Sequence, residues 1–287
     1  MSGYELDNPA KSKELCSLTM VRRVAAMLDL EPQSFREGDI LPRGWHFFML
    51  AGETRKSELR QDGFPGLGVP IPNLDGVTSR LPRLLLGGRT VAYGEEIVIG
   101  SVIEKTSFIK NITEKTTKNG PMAIVTLQHE LRSENAHTPA IIETQTYILL
   151  EEQKVQSKII AETTENQLLI GHLQKQCMPD ETLIFHYSAL GFNSHKIHLD
   201  RDYCRNVEGL PDLVVNGGLT TLLVTEFART ELGLNLKEIK VKHIAPLYCN
   251  RPLTISFEET EMKVFDDKNV LAVVIEIVNP KSNQSKI

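Results

Sequence analysis

The 287-residue chain lacks the features that would place it in several broad classes of protein. It contains no apolar run near the roughly 18 residues that a membrane-spanning helix requires. Its 32 Lys and Arg residues and 37 Asp and Glu residues give a net charge of −5, so neither nucleic acid nor a membrane is an expected partner. No GxGxxG segment follows a strand-like run and no GxxxxGK[ST] loop occurs, which argues against dinucleotide and ATP chemistry.

The chain also has few cysteines and no recognisable targeting signal. Its four cysteines, at positions 16, 177, 204 and 249, form no CxxC pair and no Cys/His pair at zinc spacing, so reduced thiols are expected. The first 15 residues contain Glu5, Asp7 and Glu14 but no apolar segment, which is unlike a secretory signal or a transit peptide. These absences predict a cytoplasmic protein.

The composition that remains is that of a globular protein, with 41% hydrophobic and 24% charged residues. At roughly 150 residues per domain, the length predicts two domains or one large one. We predict an N-terminal unit over residues 1–155 and a C-terminal unit over residues 165–287, because residues 151–180 have the composition of a polar connector.

Hydrophobic spacing predicts the elements of each unit. The N-terminal unit is expected to contain a helix over Met20–Leu30, a long structured loop over residues 38–90, and strands over 97–112, 123–131 and 141–150, with a turn at 115–121. The C-terminal unit is expected to contain helices over 201–207 and 219–232 and strands over 238–244, 253–264 and 270–278. A long strand, a polar turn and a second strand recur at a spacing of about 150 residues, which predicts a duplicated α+β unit. The alternative is two hairpins that are alike by chance.

The segment from residue 185 to residue 220 carries the most informative side chains. His186, His195 and His198 fall within thirteen residues, and together with Asp200 they resemble part of a metal-ligand set. No downstream His or Cys completes that set, so we expect no metal site.

The same segment suits acid–base chemistry. His198 precedes a predicted helix cap at Asp200 and could serve as a general base, while Asn193 could hold a water molecule. Gly217 lies at the start of the predicted helix, where an unpaired backbone N–H can stabilise an oxygen that gains negative charge. This set fits enolate formation at a thioester. The alternative is structural, with a turn glycine and a loop histidine.

Both ends of this segment resemble a known family. YSALGFNSHKIHLDRDY (187–203) and LPDLVVNGGLT (210–220) are similar to the hydratase motif of MaoC-like, (R)-specific enoyl-thioester hydratases, whose hotdog fold wraps a sheet around a helix. Four N-terminal segments resemble a subgroup with two hotdogs in one chain: ILPRGWHFFML, DGFPGLGVPIPNLDG, SRLPRLLLGGR and GPMAIVTLQHEL. That subgroup includes type 2 hydroxyacyl-thioester dehydratases and bacterial mesaconyl-CoA and itaconyl-CoA hydratases. The resemblance covers nearly the whole chain and implies an α+β double hotdog, with two antiparallel sheets that each wrap a helix.

The resemblance also implies roles for individual residues. His198 takes the place of the family's catalytic histidine, and Gly217 that of the glycine whose N–H polarises the thioester carbonyl. Asn193 stands where the family has a catalytic aspartate, His195 where an asparagine is usual, and Asn216 where a histidine is common. Because an amide cannot take a proton, His198 is expected to be the main base.

The N-terminal unit has no counterpart of the Asn193 and His198 pair, so we expect a degenerate hotdog that shapes the acyl pocket. An arginine in that pocket could hold a distal carboxylate by two hydrogen bonds. The alternative is that the arginines of the N-terminal unit are exposed and that Trp45 belongs to the core. The candidate substrate-binding residues are Arg43, Trp45, His46, Arg89, His195 and Gly218.

The resemblance thus implies an enzyme, a hydro-lyase that adds water reversibly to a short enoyl-CoA. A five-carbon dicarboxylyl-CoA, itaconyl-CoA or mesaconyl-CoA, is the expected substrate, and itaconate degradation the expected role. An acyl-CoA thioester is the expected partner, a homodimer the implied assembly, and no cofactor is expected because coenzyme A is part of the substrate. Two alternatives stay open: a 3-hydroxyacyl-thioester dehydratase of fatty acid metabolism, and a non-catalytic acyl-thioester-binding protein, which the amide at Asn193 suggests.

Overall fold

The computed structural model describes residues 9–66, 74–118, 120–151 and 173–278. In the N-terminal half, an edge strand and a helix come first, and four longer strands follow. The strands are β1 (Ala10–Leu15), β2 (Arg83–Tyr93), β3 (Val102–Thr117), β4 (Gly120–Ser133) and β5 (Ile141–Leu150). The helices are α1 (Leu18–Met27) and α2 (Leu74–Arg80), with 3₁₀ turns at Pro32–Ser34, Trp45–Leu50 and Lys56–Glu58.

The C-terminal half repeats this order of elements. Its strands are β6 (Leu173–Cys177), β7 (Glu238–His243), β8 (Leu253–Glu258), β9 (Glu261–Phe265) and β10 (Leu271–Val278). Its helices are α3 (Glu181–Leu190), α4 (Arg201–Asn206) and α5 (Gly217–Thr230), with a 3₁₀ turn at Lys196–His198.

The ten strands form one antiparallel sheet, in the order β1-β3-β4-β5-β2-β7-β10-β9-β8-β6. Each half contributes five neighbouring strands, and the order in one half mirrors the order in the other. The halves join where β2 pairs with β7, with Thr90 opposite Lys240. This symmetry agrees with the predicted duplication and with the α+β double hotdog, although the two expected sheets are continuous rather than separate.

The longest helix, α5, lies at the centre of the C-terminal half. Ten of its 14 residues are buried, including Leu219, Leu222 and Phe227. Burial on nearly every side is what a helix wrapped by a sheet requires. The helix begins at Gly217 rather than at the predicted Leu219, so both glycines belong to its first turn. In the N-terminal half, the buried 3₁₀ turn Trp45–Leu50 takes the corresponding place in the chain order.

Two predicted elements were wrong. The strand predicted over 253–264 is the hairpin of β8 and β9, because the chain reverses at Glu259, whose φ is 54°. The predicted loop over 38–90 contains the first eight residues of β2, which continues to Tyr93. Its glycines conceal this strand in the sequence, yet Gly88 lies so close to β7 that an added Cβ would be 2.5 Å from the Val241 carbonyl oxygen.

Helix α3 was also missed; it begins directly after the segment predicted to be a polar connector, and strand β6 lies inside that segment. The helix begins after Asp180, whose side chain accepts a hydrogen bond from the Leu183 N–H, a normal helix cap. The predicted boundary between residues 155 and 165 lies outside the described residues and stays a prediction.

One hydrophobic core extends through both halves. It contains Val24 and Ile103 from the N-terminal half and Phe227 and Ile275 from the C-terminal half, and α1 packs against α3. The two halves therefore form one packed body, in which the N-terminal half can contribute to a site in the C-terminal half. Within the parts of the chain that the structure describes, no helix has the length and apolar character needed to cross a membrane.

Candidate active site

The loop after α3 carries the predicted acid–base residues and is held by hydrogen bonds to its own neighbours. The Asn193 N–H donates to the Ser188 carbonyl oxygen at 2.8 Å. The Asn193 Oδ1 accepts from the His195 N–H at 3.0 Å. With Oδ1 occupied, the side-chain NH2 of Asn193 remains as a donor for water.

His198 is buried, and its ring is fixed by the segment that leads to α5. Its Nδ1 lies 2.8 Å from the Val214 carbonyl oxygen. Since a carbonyl oxygen only accepts, Nδ1 carries the proton and the neutral ring has its lone pair on Nε2. Within the described residues, no hydrogen-bond partner is found for Nε2. Burial and the neighbouring His195 lower the pKa of His198 to about 3, against the opposing effect of the Val214 hydrogen bond. At neutral pH this ring is an uncharged base.

The start of α5 presents unpaired backbone donors. Its first intrahelical hydrogen bond runs from the Thr220 N–H to the Asn216 carbonyl oxygen, so the N–H groups of residues 217–219 have no partner within the helix. The Asn216 side chain does not cap them; its NH2 donates to Ser188 Oγ at 3.1 Å. The positive end of the helix dipole adds to these donors. The start of α5 thus has the backbone donors that the predicted oxyanion site at Gly217 would use.

Both glycines of this turn are required by close packing. A Cβ on Gly218 would overlap the Tyr187 hydroxyl and lie 3.3 Å from Arg89 Nη2. A Cβ on Gly217 would lie 2.9 Å from His243 Cε1. The two strands that meet at the centre of the sheet thus bring Arg89 and His243 against the start of α5. No spacing or motif in the sequence indicates that Tyr187, Arg89 and His243 lie together.

A cavity of about 280 Å³ opens beside these residues. The C-terminal half contributes Tyr187, Gly191 and Asn193 to its wall. The N-terminal half supplies the other lining residues, among them Phe64, Arg89, Lys105, Gln145 and Tyr147. His198 and Gly217 are not among the lining residues, but Asn193 of the same loop is, and so is Tyr187, which packs on Gly218.

A buried polar network lies under the Arg89 side of the cavity; its Arg89 and His46 were predicted to bind substrate, but Glu143, which joins them, was missed. Glu143, which is fully buried, lies 3.1 Å from Arg89 Nη1 and 2.7 Å from His46 Nε2. It also accepts from Gln145 Nε2 at 2.6 Å, and Gln145 accepts from the Tyr147 hydroxyl at 2.6 Å. Burial alone would raise the pKa of Glu143, but Arg89 and His46 hold it well below its ordinary value. The only sequence signal was polar residues at alternate positions of β5.

The other predicted substrate-binding residues lie elsewhere. Trp45 is fully buried, and its Nε1 donates to Glu226 at 3.0 Å, so it belongs to the core. Arg43 donates to the Leu236 carbonyl oxygen and lines a second cavity of about 460 Å³. Neither residue lines the cavity beside Asn193.

Two of the predicted histidines are buried close to one another. His195 lies with its ring 5.7 Å from that of His198 and its Nε2 3.7 Å from Asp62. Burial, assisted by Arg60, lowers the pKa of His195 to about 4. His186 is exposed on α3. No group of three or more His, Cys, Asp or Glu side chains suited to a metal was found in the described part of the chain.

Burial of neutral histidines predicts how stability depends on pH. Burial is the largest cause that lowers the pKa of His198 to about 3 and of His129 and His243 to about 4. Unfolded histidines bind protons near pH 6.5, so between pH 6.5 and 4 the unfolded chain binds more protons than the folded one. The free energy of unfolding should therefore decrease as the pH is lowered from 6.5 to 4, by up to about 1.4 kcal/mol per pH unit for each such histidine.

Urea unfolding at pH 7.5, 6.0 and 5.0 measures this dependence. In a His198→Gln variant, the free energy of unfolding should decrease less between pH 7.5 and 5.0 than it does in the wild type. A variant at the exposed His186 should show the same decrease as the wild type. An unfolding free energy that stays constant from pH 7.5 to 5.0 would contradict the expectation.

Comparisons with known proteins show the family to which this chain belongs. The sequence matches the family described as hydroxyacyl-thioester dehydratase type 2 over residues 44–249. It is 30% identical over 242 residues to the mesaconyl-C(4)-CoA hydratase of Chloroflexus aurantiacus, covering 83% of this chain and 82% of that protein. It is 26% identical over 245 residues to the mitochondrial hydroxyacyl-thioester dehydratase type 2 of Schizosaccharomyces pombe, covering 77% of this chain and 78% of the relative.

Solved structures bear out the fold. A MaoC-like dehydratase from Phytophthora capsici superimposes with a TM-score of 0.65 at 11% identity, covering 96% of this chain and 97% of that one. A Mycobacterium tuberculosis protein described as having a double hotdog fold superimposes with a TM-score of 0.54 at 12% identity, covering 95% and 96%. The predicted double hotdog is confirmed.

Proposed function

Because the chain belongs to the hydroxyacyl-thioester dehydratase type 2 family, and is thus an acyl-thioester hydratase or dehydratase, we propose that it hydrates a short dicarboxylyl-CoA. The substrate that we favour is a branched five-carbon acyl group, as in mesaconyl-CoA or itaconyl-CoA. One observation supports this chemistry. His198 is neutral and buried, and its ring is hydrogen-bonded to Val214, in the segment that directly precedes the uncapped start of α5.

The proposed reaction uses three groups of this chain. Asn193 donates its side-chain NH2 to a water molecule, and His198 Nε2 takes a proton from that water as its oxygen bonds to the β-carbon. The electron pair of the double bond moves towards the thioester oxygen, where the Gly217 N–H stabilises the negative charge. Because Asn193 cannot carry a proton, the His198 imidazolium returns its proton to the α-carbon. The sum is addition of one water, and dehydration is the reverse path.

The cavity supports the proposed substrate class. Polar side chains of Arg89, Gln145, Tyr147 and Tyr187 form part of a wall that encloses only about 280 Å³. A long fatty chain would require an extended apolar tunnel, because the transfer of apolar surface out of water is favourable only into apolar surroundings. The identity of 30% to a mesaconyl-C(4)-CoA hydratase points the same way. The predicted cytoplasmic location and the role of the N-terminal half in shaping the acyl pocket remain part of this proposal.

A panel of thioesters tests the substrate class. We expect kcat/KM for mesaconyl-CoA or itaconyl-CoA to exceed that for a ten-carbon straight-chain enoyl-CoA by at least about 100-fold, since a bidentate charged contact is worth up to about 3 kcal/mol. Crotonyl-CoA, with no second carboxylate, is the control for chain length. A preference for the ten-carbon substrate would instead favour the alternative of a 3-hydroxyacyl-thioester dehydratase that acts on a fatty chain.

A further inference from the structure

Arg89 is a buried cation with donors that the protein leaves unused. It lies on β2, and its side chain is 10% exposed. Its Nη1 lies 3.1 Å from Glu143, but its Nε is buried and has no hydrogen-bond partner among the residues that the structure describes. A buried N–H with no acceptor is destabilising and rare in proteins, and beside a cavity such a group can donate to a water molecule, an ion or a ligand.

The free atoms of Arg89 are the pair that binds a carboxylate. Nε and Nη2 lie along one edge of the guanidinium plane, while Nη1, which faces Glu143, lies on the other side. Arg229 shows this mode within the same chain, since its Nε and Nη2 donate to the two carboxylate oxygens of Glu226 at 2.8 and 2.7 Å. Two parallel hydrogen bonds of this kind select a planar, charged acceptor. The edge left free on Arg89 therefore suits a carboxylate.

The position of this edge fits a short acyl chain. Arg89 Nη2 lies 3.3 Å from the place that a Cβ on Gly218 would occupy, one residue beyond the proposed oxyanion donor. A carboxylate bound there would lie only a few carbon atoms from a thioester carbonyl held at Gly217. The second carboxylate of a five-carbon dicarboxylyl group has that spacing, whereas the end of a fatty chain does not.

The network under Arg89 keeps it charged and in place. Burial alone would lower the pKa of Arg89, but Glu143 raises it, so the guanidinium remains protonated. Glu143 is itself hydrogen-bonded to His46 and Gln145, so the carboxylate that binds Arg89 is fixed in position. Lys105, another cation in the wall of the cavity, is already bound to the Ala51 carbonyl oxygen at 2.8 Å and to Glu14 at 2.9 Å.

We propose that Arg89 binds the second carboxylate of the acyl group through Nε and Nη2 and thereby selects dicarboxylyl over monocarboxylyl thioesters. This inference rests on the proposed function, because it assigns the specificity of the same site. It makes Arg89 a specificity residue and Glu143 the residue that positions it.

Two variants separate recognition from folding. Arg89→Lys keeps the buried positive charge but has no two-donor edge, and Arg89→Gln with Glu143→Gln removes both charges together so that neither remains buried alone. Arg83→Lys is the matched control, because Arg83 lies on the same strand, pairs with Glu208 at 3.4 Å and does not line the cavity. The readout is the ratio of kcat/KM for mesaconyl-CoA to kcat/KM for crotonyl-CoA.

We expect this ratio to fall about 100-fold in the double variant and about 10-fold in Arg89→Lys, mainly through KM for mesaconyl-CoA. The control should keep the wild-type ratio. If activity on both thioesters falls in parallel, Arg89 is only structural and the inference is wrong, even though the hydratase function stands.

A binding measurement keeps the two proposals distinguishable. In a His198→Ala background, calorimetry gives the Kd of mesaconyl-CoA and of crotonyl-CoA without turnover. If the wild-type chain hydrates no enoyl-CoA but Arg89 still favours mesaconyl-CoA in binding, the proposed function fails and the inference holds. If Arg89 leaves the ratio of the two Kd values unchanged, the inference fails on binding alone.

Discussion

Replacing His198 with alanine should lower kcat/KM for hydration by roughly two to four orders of magnitude, the usual contribution of a general base. His198 Nε2 is the unprotonated atom of a neutral, buried ring, and the neighbouring Asn193 cannot accept a proton. No other member of the proposed set can remove a proton from water, so the loss should appear mainly in kcat. Steady-state hydration of mesaconyl-CoA and crotonyl-CoA, followed by loss of the enoyl absorbance, measures it.

The controls for this variant address folding. Loss of the hydrogen bond from Nδ1 to Val214 should cost only about 1 kcal/mol of stability. His198→Gln retains a side-chain N–H donor and should be as inactive as His198→Ala. The exposed His186 on α3 provides a matched control, and His186→Ala should remain active. A His198→Ala protein that is folded and hydrates at the wild-type rate would rule out the proposed base.

Replacing Gly218 with alanine is expected to lower kcat/KM by about 100-fold, because a 1 Å misplacement of a catalytic group has an effect of that size. The new methyl group would overlap the Tyr187 hydroxyl, which is buried between α3 and the start of α5. Movement of the first turn of α5 would displace the Gly217 N–H, and movement of the Tyr187 ring would change the wall of the cavity. The same assay, with a thermal melt to monitor folding, measures the effect.

A second substitution separates this clash from a general loss of stability. Tyr187→Phe removes the overlapping hydroxyl, so the Gly218→Ala and Tyr187→Phe double variant should recover activity relative to Gly218→Ala alone. Gly76→Ala in α2 is the control, since an added Cβ there has no neighbour within 4 Å. Equal activity of Gly218→Ala and wild type would contradict the expected disturbance of the site at the start of α5.

The acid–base part of the site could be predicted from the sequence, because the residues that form it lie close together in the chain. Asn193 and His198 are five residues apart in one loop, and the hydrogen bonds that hold this loop are also local. The Asp200 cap of α4 was likewise predicted and is confirmed, since its side chain accepts from the Tyr203 N–H. Such contacts depend on neighbouring residues, which a single segment of sequence displays.

The acyl-binding part of the site depends on residues from distant segments. Arg89 pairs with Val241 across the junction of the two halves, and Gln145 lies opposite Arg89 on the other side of β2. No spacing within either segment shows that these residues meet. Glu143 was missed for the same reason, because a buried carboxylate is stable only with its partners, and those lie on other elements.

By itself, the sequence determined the hydratase-like loop, the glycines before α5, the strands β4 and β5 and the duplicated order of elements. Only the tertiary structure decided that the ten strands form one continuous sheet and that Arg89, Tyr187 and His243 surround the start of α5. The physical reason is that helix caps and strand alternation are properties of short segments. The pairing of β2 with β7 and the burial of a charged network are properties of the whole chain, because they depend on how the two halves pack.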